Sequence, residues 1–156
     1  MAGPTLLLDD LAATRAFGRR LAALLRPGDL VGLEGELGAG KTELARAVIR
    51  ARAGVELEVP SPTFTLVQPY RLPSLLVTHA ELYRLGAPEE VLELGLDEAL
   101  AEGALVVEWP ERAGELLPAE RLTLRLALAP ESGLEARLLT VEAAGGWRER
   151  LAGLQP

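Results

Sequence analysis

Gly35, Gly40, Lys41 and Thr42 stand at the spacing G-x-x-x-x-G-K-[ST] in "GELGAGKT" (35–42), and Lys41 is the chain's only lysine beside fifteen arginines. That spacing is a phosphate-binding loop. Its glycines permit backbone angles that a Cβ would forbid, so the successive amides of Glu36, Leu37, Gly38, Ala39, Gly40, Lys41, Thr42 and Glu43 can turn towards phosphate oxygens. The helix that begins near Thr42 points its positive end at the same anions. Lysine is a compact charge on a flexible stem that reaches between outer phosphates, where the planar fork of arginine does not fit. The Thr42 hydroxyl suits a magnesium ion bridging those phosphates. Position 43 is Glu, so the dinucleotide fingerprint G-x-G-x-x-G fails. With no asparagine and one lysine, a guanine-reading N-K-x-D cannot exist, which favours ATP or ADP over guanine nucleotides.

Phosphoryl chemistry also needs a carboxylate beside the metal. The four aspartates, Asp9, Asp10, Asp29 and Asp97, do not end apolar runs, whereas Glu108 after "ALVV" and Glu81 in "LLVTHAE" do. Both are candidates for the metal and for catalysis, and spacing alone does not divide the roles between them. Strand-end glutamates are more commonly solvated charges. "PSPTFTL" (60–66) is a plain loop by spacing, or a switch-like segment that brings Ser61 or Thr63 to the nucleotide. His79 is the sole histidine, so a metal cluster or Ser-His-Asp triad has little support, and a packed or hydrogen-bonding role is preferred over a general base. Trp109 is either core or a stacking surface for a ligand or partner.

Positioning these residues requires a strand on each side of the loop's helix. Leu30 to Glu34 reads as a short buried strand, followed by the loop and a helix over "TELARAVIRARAG" ended by Gly54. Before them, Asp10 caps a helix running to about Leu25, with Leu11, Phe17, Leu21 and Leu24 on one face. "TFTLVQPY" and "SLLVTHAELY" form a hairpin, "PEEVLELGLDEALAEG" gives two short helices broken at Gly95, and "ALVVEW" is a buried strand stopped by Pro110. "RLTLRLALA" and "ARLLTVEAA" form a second hairpin around "PESG", and "WRERLAGL" closes the chain as a short helix. The expectation is one domain over 1–156: an α/β three-layer sandwich of the P-loop NTPase type, with a mixed, partly antiparallel central sheet.

The chain has 156 residues, 49% hydrophobic and 25% charged, no cysteine and a net charge of −7. That composition is ordinary for a globular domain and leaves no thiolate or disulfide chemistry. No apolar run approaches a membrane span, and the N-terminal stretch does not read as a signal peptide. A cytoplasmic setting is expected. The arginines are interspersed with glutamates along the sequence, so tight direct nucleic-acid binding is not expected and a protein partner or small ligand fits better. The scarcity of Asn, Gln and Met is compatible with a thermophile and equally with GC-rich codon usage.

"GELGAGKT" (35–42), "SPTFTLVQPY" (61–70), "HAELYRL" (79–85), "ELGLDEAL" (93–100) and "VEWPER" (107–112), in this order, resemble the TsaE family, formerly YjeE. The resemblance implies a P-loop-type α/β sandwich that binds ATP or ADP with magnesium and hydrolyses ATP weakly alone. It implies TsaD- and TsaB-type partners, which transfer a threonylcarbamoyl group to adenosine 37 of ANN-decoding tRNAs and are reset by ATP turnover. Matched to the family's motifs, Lys41 and Thr42 meet phosphate and magnesium, Thr63 is switch-like, and Glu108 and Trp109 lie at the nucleotide. The family usually has aspartate where this chain has Glu81, and Thr or Ser at Glu43. Both leave the hydrolysis rate open. Three readings follow: an ATPase, a small-molecule kinase, and a nucleotide-gated interaction module with negligible hydrolysis. Arg84 is a candidate arginine finger in cis, against a structural ion pair or a finger supplied by the partner.

Overall fold

The computed structural model describes residues 2–62 and 66–154. Along the chain lie β1 (Ala2–Leu8), α1 (Leu11–Leu24), β2 (Leu30–Glu34), α2 (Lys41–Ala53), β3 (Val67–Leu72) and β4 (Leu75–Glu81). They are followed by α3 (Leu96–Glu102), β5 (Ala104–Glu108), β6 (Leu122–Leu128), β7 (Arg137–Ala143) and α4 (Trp147–Arg150). The strands form a seven-stranded sheet in the order β1-β7-β6-β2-β5-β4-β3. At its centre β6, β2, β5 and β4 run parallel, while β7 and β1 on one side and β3 on the other pair antiparallel. This is the mixed α/β architecture expected.

The central strands are buried, which is why "LVGLE" and "ALVVE" read as near-continuous apolar runs without alternation. Towards the rim, β7 alternates, with Leu139, Val141 and Ala143 buried and Leu138 exposed, because only one of its faces meets the core. Pro69, which has no N–H to donate, sits in the edge strand β3. The main core lies between the sheet and α1 and α2, around Phe17, Leu21, Leu44, Val48 and Ile49. A smaller one around Leu82, Leu96, Leu105 and Val107 supports the opposite face. Gly18 sets the α1–α2 spacing, since a Cβ there would come within 2.6 Å of the Ala47 Cβ.

Asp10 caps α1 as expected, its side chain accepting from the Ala13 N–H at 2.8 Å. Gly54 in the left-handed region ends α2, and Gly95 separates the 3₁₀ turn Pro88–Glu93 from α3. Both hairpins form, although β3 starts at Val67 and continues through Arg71 and Leu72, with a tighter turn at Pro73 and Ser74. The sequence reading missed β1. "AGPTLLL" has no alternation to signal a strand, and its pairing depends wholly on β7, more than a hundred residues later.

Candidate active site

Three parallel strands deliver the site to one end of the sheet. The register places Leu33 beside Glu108 and Glu108 beside Glu81, so both candidate carboxylates end neighbouring strands just where β2 enters the phosphate loop. Ligands of open α/β sheets bind at this carboxyl-terminal edge. The loop itself is held by backbone constraints. Gly35 has φ of 145°, and a Cβ there would stand 2.5 Å from the Leu126 carbonyl oxygen on β6. Gly40 caps α2 in the left-handed region, so the helix's first free amides face into the loop.

Lys41 is only 5% exposed. Its Nζ donates to the carbonyls of Gly35 at 2.5 Å and Glu36 at 2.9 Å, and lies 4.2 Å from the centre of the Trp109 ring. Burial pulls the Lys41 pKa down, and the charges of Glu108, Glu111 and Glu81 oppose that fall. The lysine is thus a desolvated cation with a loop on one side and an aromatic face on the other. Trp109 holds left-handed backbone angles, φ 60° and ψ 48°, strained for a bulky residue and kept only where the surrounding structure over-determines the conformation. Its ring packs on Tyr83 at 4.8 Å, and the Arg112 guanidinium covers Tyr83 at 5.1 Å.

The Thr42 hydroxyl donates to Glu108 Oε1 at 2.8 Å, and the other oxygen of Glu108 meets His79 Nε2 at 2.6 Å. His79 is fully buried and its Nδ1 has no partner among the described residues, which assigns the ring proton to Nε2 as donor to Glu108. The bond from Nε2 places His79 to orient the Glu108 carboxylate. The structure therefore joins His79, which the sequence reading left apart, to Thr42 and Glu108, which it had assigned to one metal ion.

Glu81 is 6% exposed and accepts the Tyr83 N–H at 3.0 Å. Burial pushes its carboxyl above the ordinary 4.5, opposed by the Tyr83 N–H, while the adjacent Glu108 adds to the rise. The folded chain then binds that proton more tightly than the unfolded one, so stability falls as pH rises from 4.5 through the raised folded value. Glu81→Gln, locked in the neutral form, should without magnesium unfold at a higher temperature than the parent at about pH 7 and at the same temperature near pH 3. Calorimetry at the two pH values checks this, and a parent the more stable at neutral pH would contradict it.

Thr42, Glu108 and Glu81 present hydroxyl and carboxylate oxygens, the donor type that would hold a hard cation such as magnesium. Among the described residues no group of three His, Cys, Asp or Glu could hold a metal ion by itself. A cavity of about 530 Å³ adjoins the loop, lined by Glu34, Gly35, Trp109, Arg125 and Leu128, and is large enough for a small ligand. Thr63 lies outside the described residues. Arg84 is exposed just after β4, and its charge is felt at Glu81.

Sequence reading missed Arg137. Its Nε donates to the Ala39 carbonyl at 2.8 Å, with Nη bonds to Leu134 and Ala136 at 2.9 Å, so β7 clasps the phosphate loop. No local signal marks it, because the loop lies 98 residues earlier in the chain.

The profile of the threonylcarbamoyl adenosine biosynthesis protein TsaE matches residues 8–137. The chain belongs to the TsaE family. A TsaE protein of Streptomyces coelicolor is 44% identical over 137 residues, covering 84% of this chain and 90% of that protein. One from Rickettsia bellii is 40% identical over 122 residues, covering 78% and 85%. The crystal structure of Bacillus subtilis YdiB superposes with a TM-score of 0.78 at 31% identity, covering 97% of this chain and 93% of that one. The matched region of the TsaE profile contains Lys41, Thr42, His79, Glu81, Glu108 and Trp109, and ends on Arg137.

Trp109 also offers a direct optical readout. The chain has two tryptophans, and Trp147 is 3% exposed and packed in the main core. Adding ATP or ADP should change the intrinsic fluorescence of the parent and of Trp147→Phe, and leave Trp109→Phe unchanged. A response that survives in Trp109→Phe would remove Trp109 from the nucleotide site.

Proposed function

We propose that this chain is a weak P-loop ATPase that serves formation of the threonylcarbamoyl group on adenosine 37 of ANN-decoding tRNAs. ATP binding and hydrolysis reset a TsaD–TsaB pair between cycles. The observation that carries the reading is the bond from Thr42 to Glu108 beside the loop-bound Lys41, which sets phosphate-binding and metal-side groups next to each other. The phosphates of ATP lie along the amides of 36–43, and the Lys41 ammonium balances charge on the transferring phosphoryl group. Magnesium, held by Thr42 with Glu108 or Glu81, would neutralise phosphate charge. Trp109 shields Lys41 from solvent, His79 fixes the Glu108 carboxylate, and Arg137 holds the loop. Water is the acceptor, and its attack in line yields ADP and phosphate.

The setting is cytoplasmic. It is supported by the lack of cysteine and by the lack, among the described residues, of a helix long and apolar enough to cross a membrane. Phosphate release from MgATP, measured alone and with a TsaD–TsaB pair, tests the proposal. The expected outcome is slow release that the pair accelerates. No acceleration despite demonstrated complex formation would overturn the partner-gated mechanism, and phosphate found on an acceptor other than water would make the protein a kinase.

A further inference from the structure

We propose that the groove between α1 and α2 docks an acidic segment of a partner protein. In sequence the basic residues look dispersed, but the fold stacks the two helices that carry them. α1 bears Arg15, Arg19 and Arg20 with no acidic residue, and α2 bears Lys41, Arg46, Arg50 and Arg52 against one acid, Glu43. This helical layer is strongly cationic in a chain whose net charge is −7.

A groove of about 460 Å³ runs along it, with Arg15 and Arg19 on one wall, Arg50 on the other, and Ala47, Ala51 and Val55 between them. Arg15 and Arg19 are exposed and make no hydrogen bond or ion pair among the described residues, unlike Arg46, whose Nη1 meets Glu43 at 3.0 Å. Arg50 uses Nε on the Leu57 carbonyl at 2.8 Å, which leaves its terminal nitrogens without a bond among the described residues. Unpaired guanidiniums carried on packed helices are forks for carboxylates. The short side chains between them, with Val55 64% exposed, leave room for an extended backbone carrying small residues.

An acidic protein segment fits better than RNA. Glu43 and Glu56 line the same groove, and beyond this layer the molecule is acidic, so a long polyanion would run into like charge. A short segment presenting a few carboxylates meets Arg15, Arg19 and Arg50 against Glu56 and a Glu43 already paired with Arg46, and does not extend onto the acidic remainder. The groove also reaches Glu43, one residue beyond Thr42, so its occupant lies against the helical turn that carries the phosphate-site hydroxyl. Electrostatic complementarity of this type sets encounter rate and register, and weakens with salt.

The proposal rests on the TsaD–TsaB reading only for the identity of the partner. Arg15→Glu/Arg19→Glu is compared with the parent and with Arg15→Lys/Arg19→Lys for binding to a TsaD–TsaB pair and to a fluorescein-labelled polyglutamate peptide. MgATP turnover without partner serves as the control for folding. The charge-reversed protein should bind both probes at least tenfold more weakly with unchanged turnover, and the lysine variant should retain most of the affinity. A parent that binds the peptide in an arginine-dependent way but ignores the pair sinks the TsaD–TsaB reading and keeps the groove. Equal binding of both probes by parent and charge-reversed protein overturns the groove. So does a parent that prefers a single-stranded RNA to the peptide and loses it on charge reversal, which makes the layer an RNA site.

Discussion

Lys41→Ala should lower phosphate release by about 10²–10³-fold, the usual cost of removing one preorganised group that stabilises transition-state charge. The fold should survive. Lys41 is a buried cation whose pKa burial has pulled down, so removing it relieves a desolvation cost, and the Gly35 and Glu36 carbonyls it leaves border an open loop. A melting temperature at or above that of the parent, with turnover lost, would separate chemistry from stability. Lys41→Arg should not rescue. The ammonium fits as a point donor between two carbonyls and the Trp109 face, a buried space that the longer, planar guanidinium exceeds. A Lys41→Arg protein with near-parent turnover would contradict the geometric part of this explanation.

The second large effect is expected at Glu108. Its two oxygens each accept from a different neighbour, Thr42 on one side and His79 on the other. An amide has only one acceptor oxygen, so Glu108→Gln cannot satisfy both and also loses the charge that faces a cation. Magnesium-dependent nucleotide binding and turnover should fall by roughly 10–100-fold, the range for groups that hold or orient a metal ligand. Nucleotide binding without magnesium should stay near the parent's, because the loop amides and Lys41 are untouched. Titrations with and without magnesium, read by Trp109 fluorescence, distinguish the two. Glu108→Ala should add a folding cost of about 1–3 kcal/mol, because it strands a buried histidine donor. Unchanged magnesium dependence in Glu108→Gln would transfer the metal-side role to Glu81.

Glu81 shows how far sequence reasoning reaches. Ending an apolar run was enough to single it out with Glu108, since parallel strands feed their carboxyl ends to the same edge of the sheet. That reasoning could not rank the two. The ranking depends on what each carboxylate touches: Glu108 accepts from the Thr42 hydroxyl, while Glu81 accepts the backbone N–H two residues on in its own chain. His79 and Trp109 were similarly visible as candidates without a partner. His79 gains its meaning from a neighbour 29 residues away, and Trp109 from the lysine it covers.

By itself, the sequence determined the loop over 35–40, the strands and helices around it, and the α/β class. Those signals are local: eight contiguous residues define the loop, caps and turns act within one helical turn, and burial of both strand faces leaves an unbroken apolar run. The tertiary structure alone decided the site's wiring and the molecule's charge layout. Thr42 reaches Glu108 across 66 residues and Arg137 reaches Ala39 across 98, distances over which no sequence period carries information and only strand order and register decide who meets whom. The same holds for the arginines. Dispersed along an acidic chain, six of the fifteen come together in one cationic layer because α1 and α2 bury their apolar stripes against the same face of the sheet.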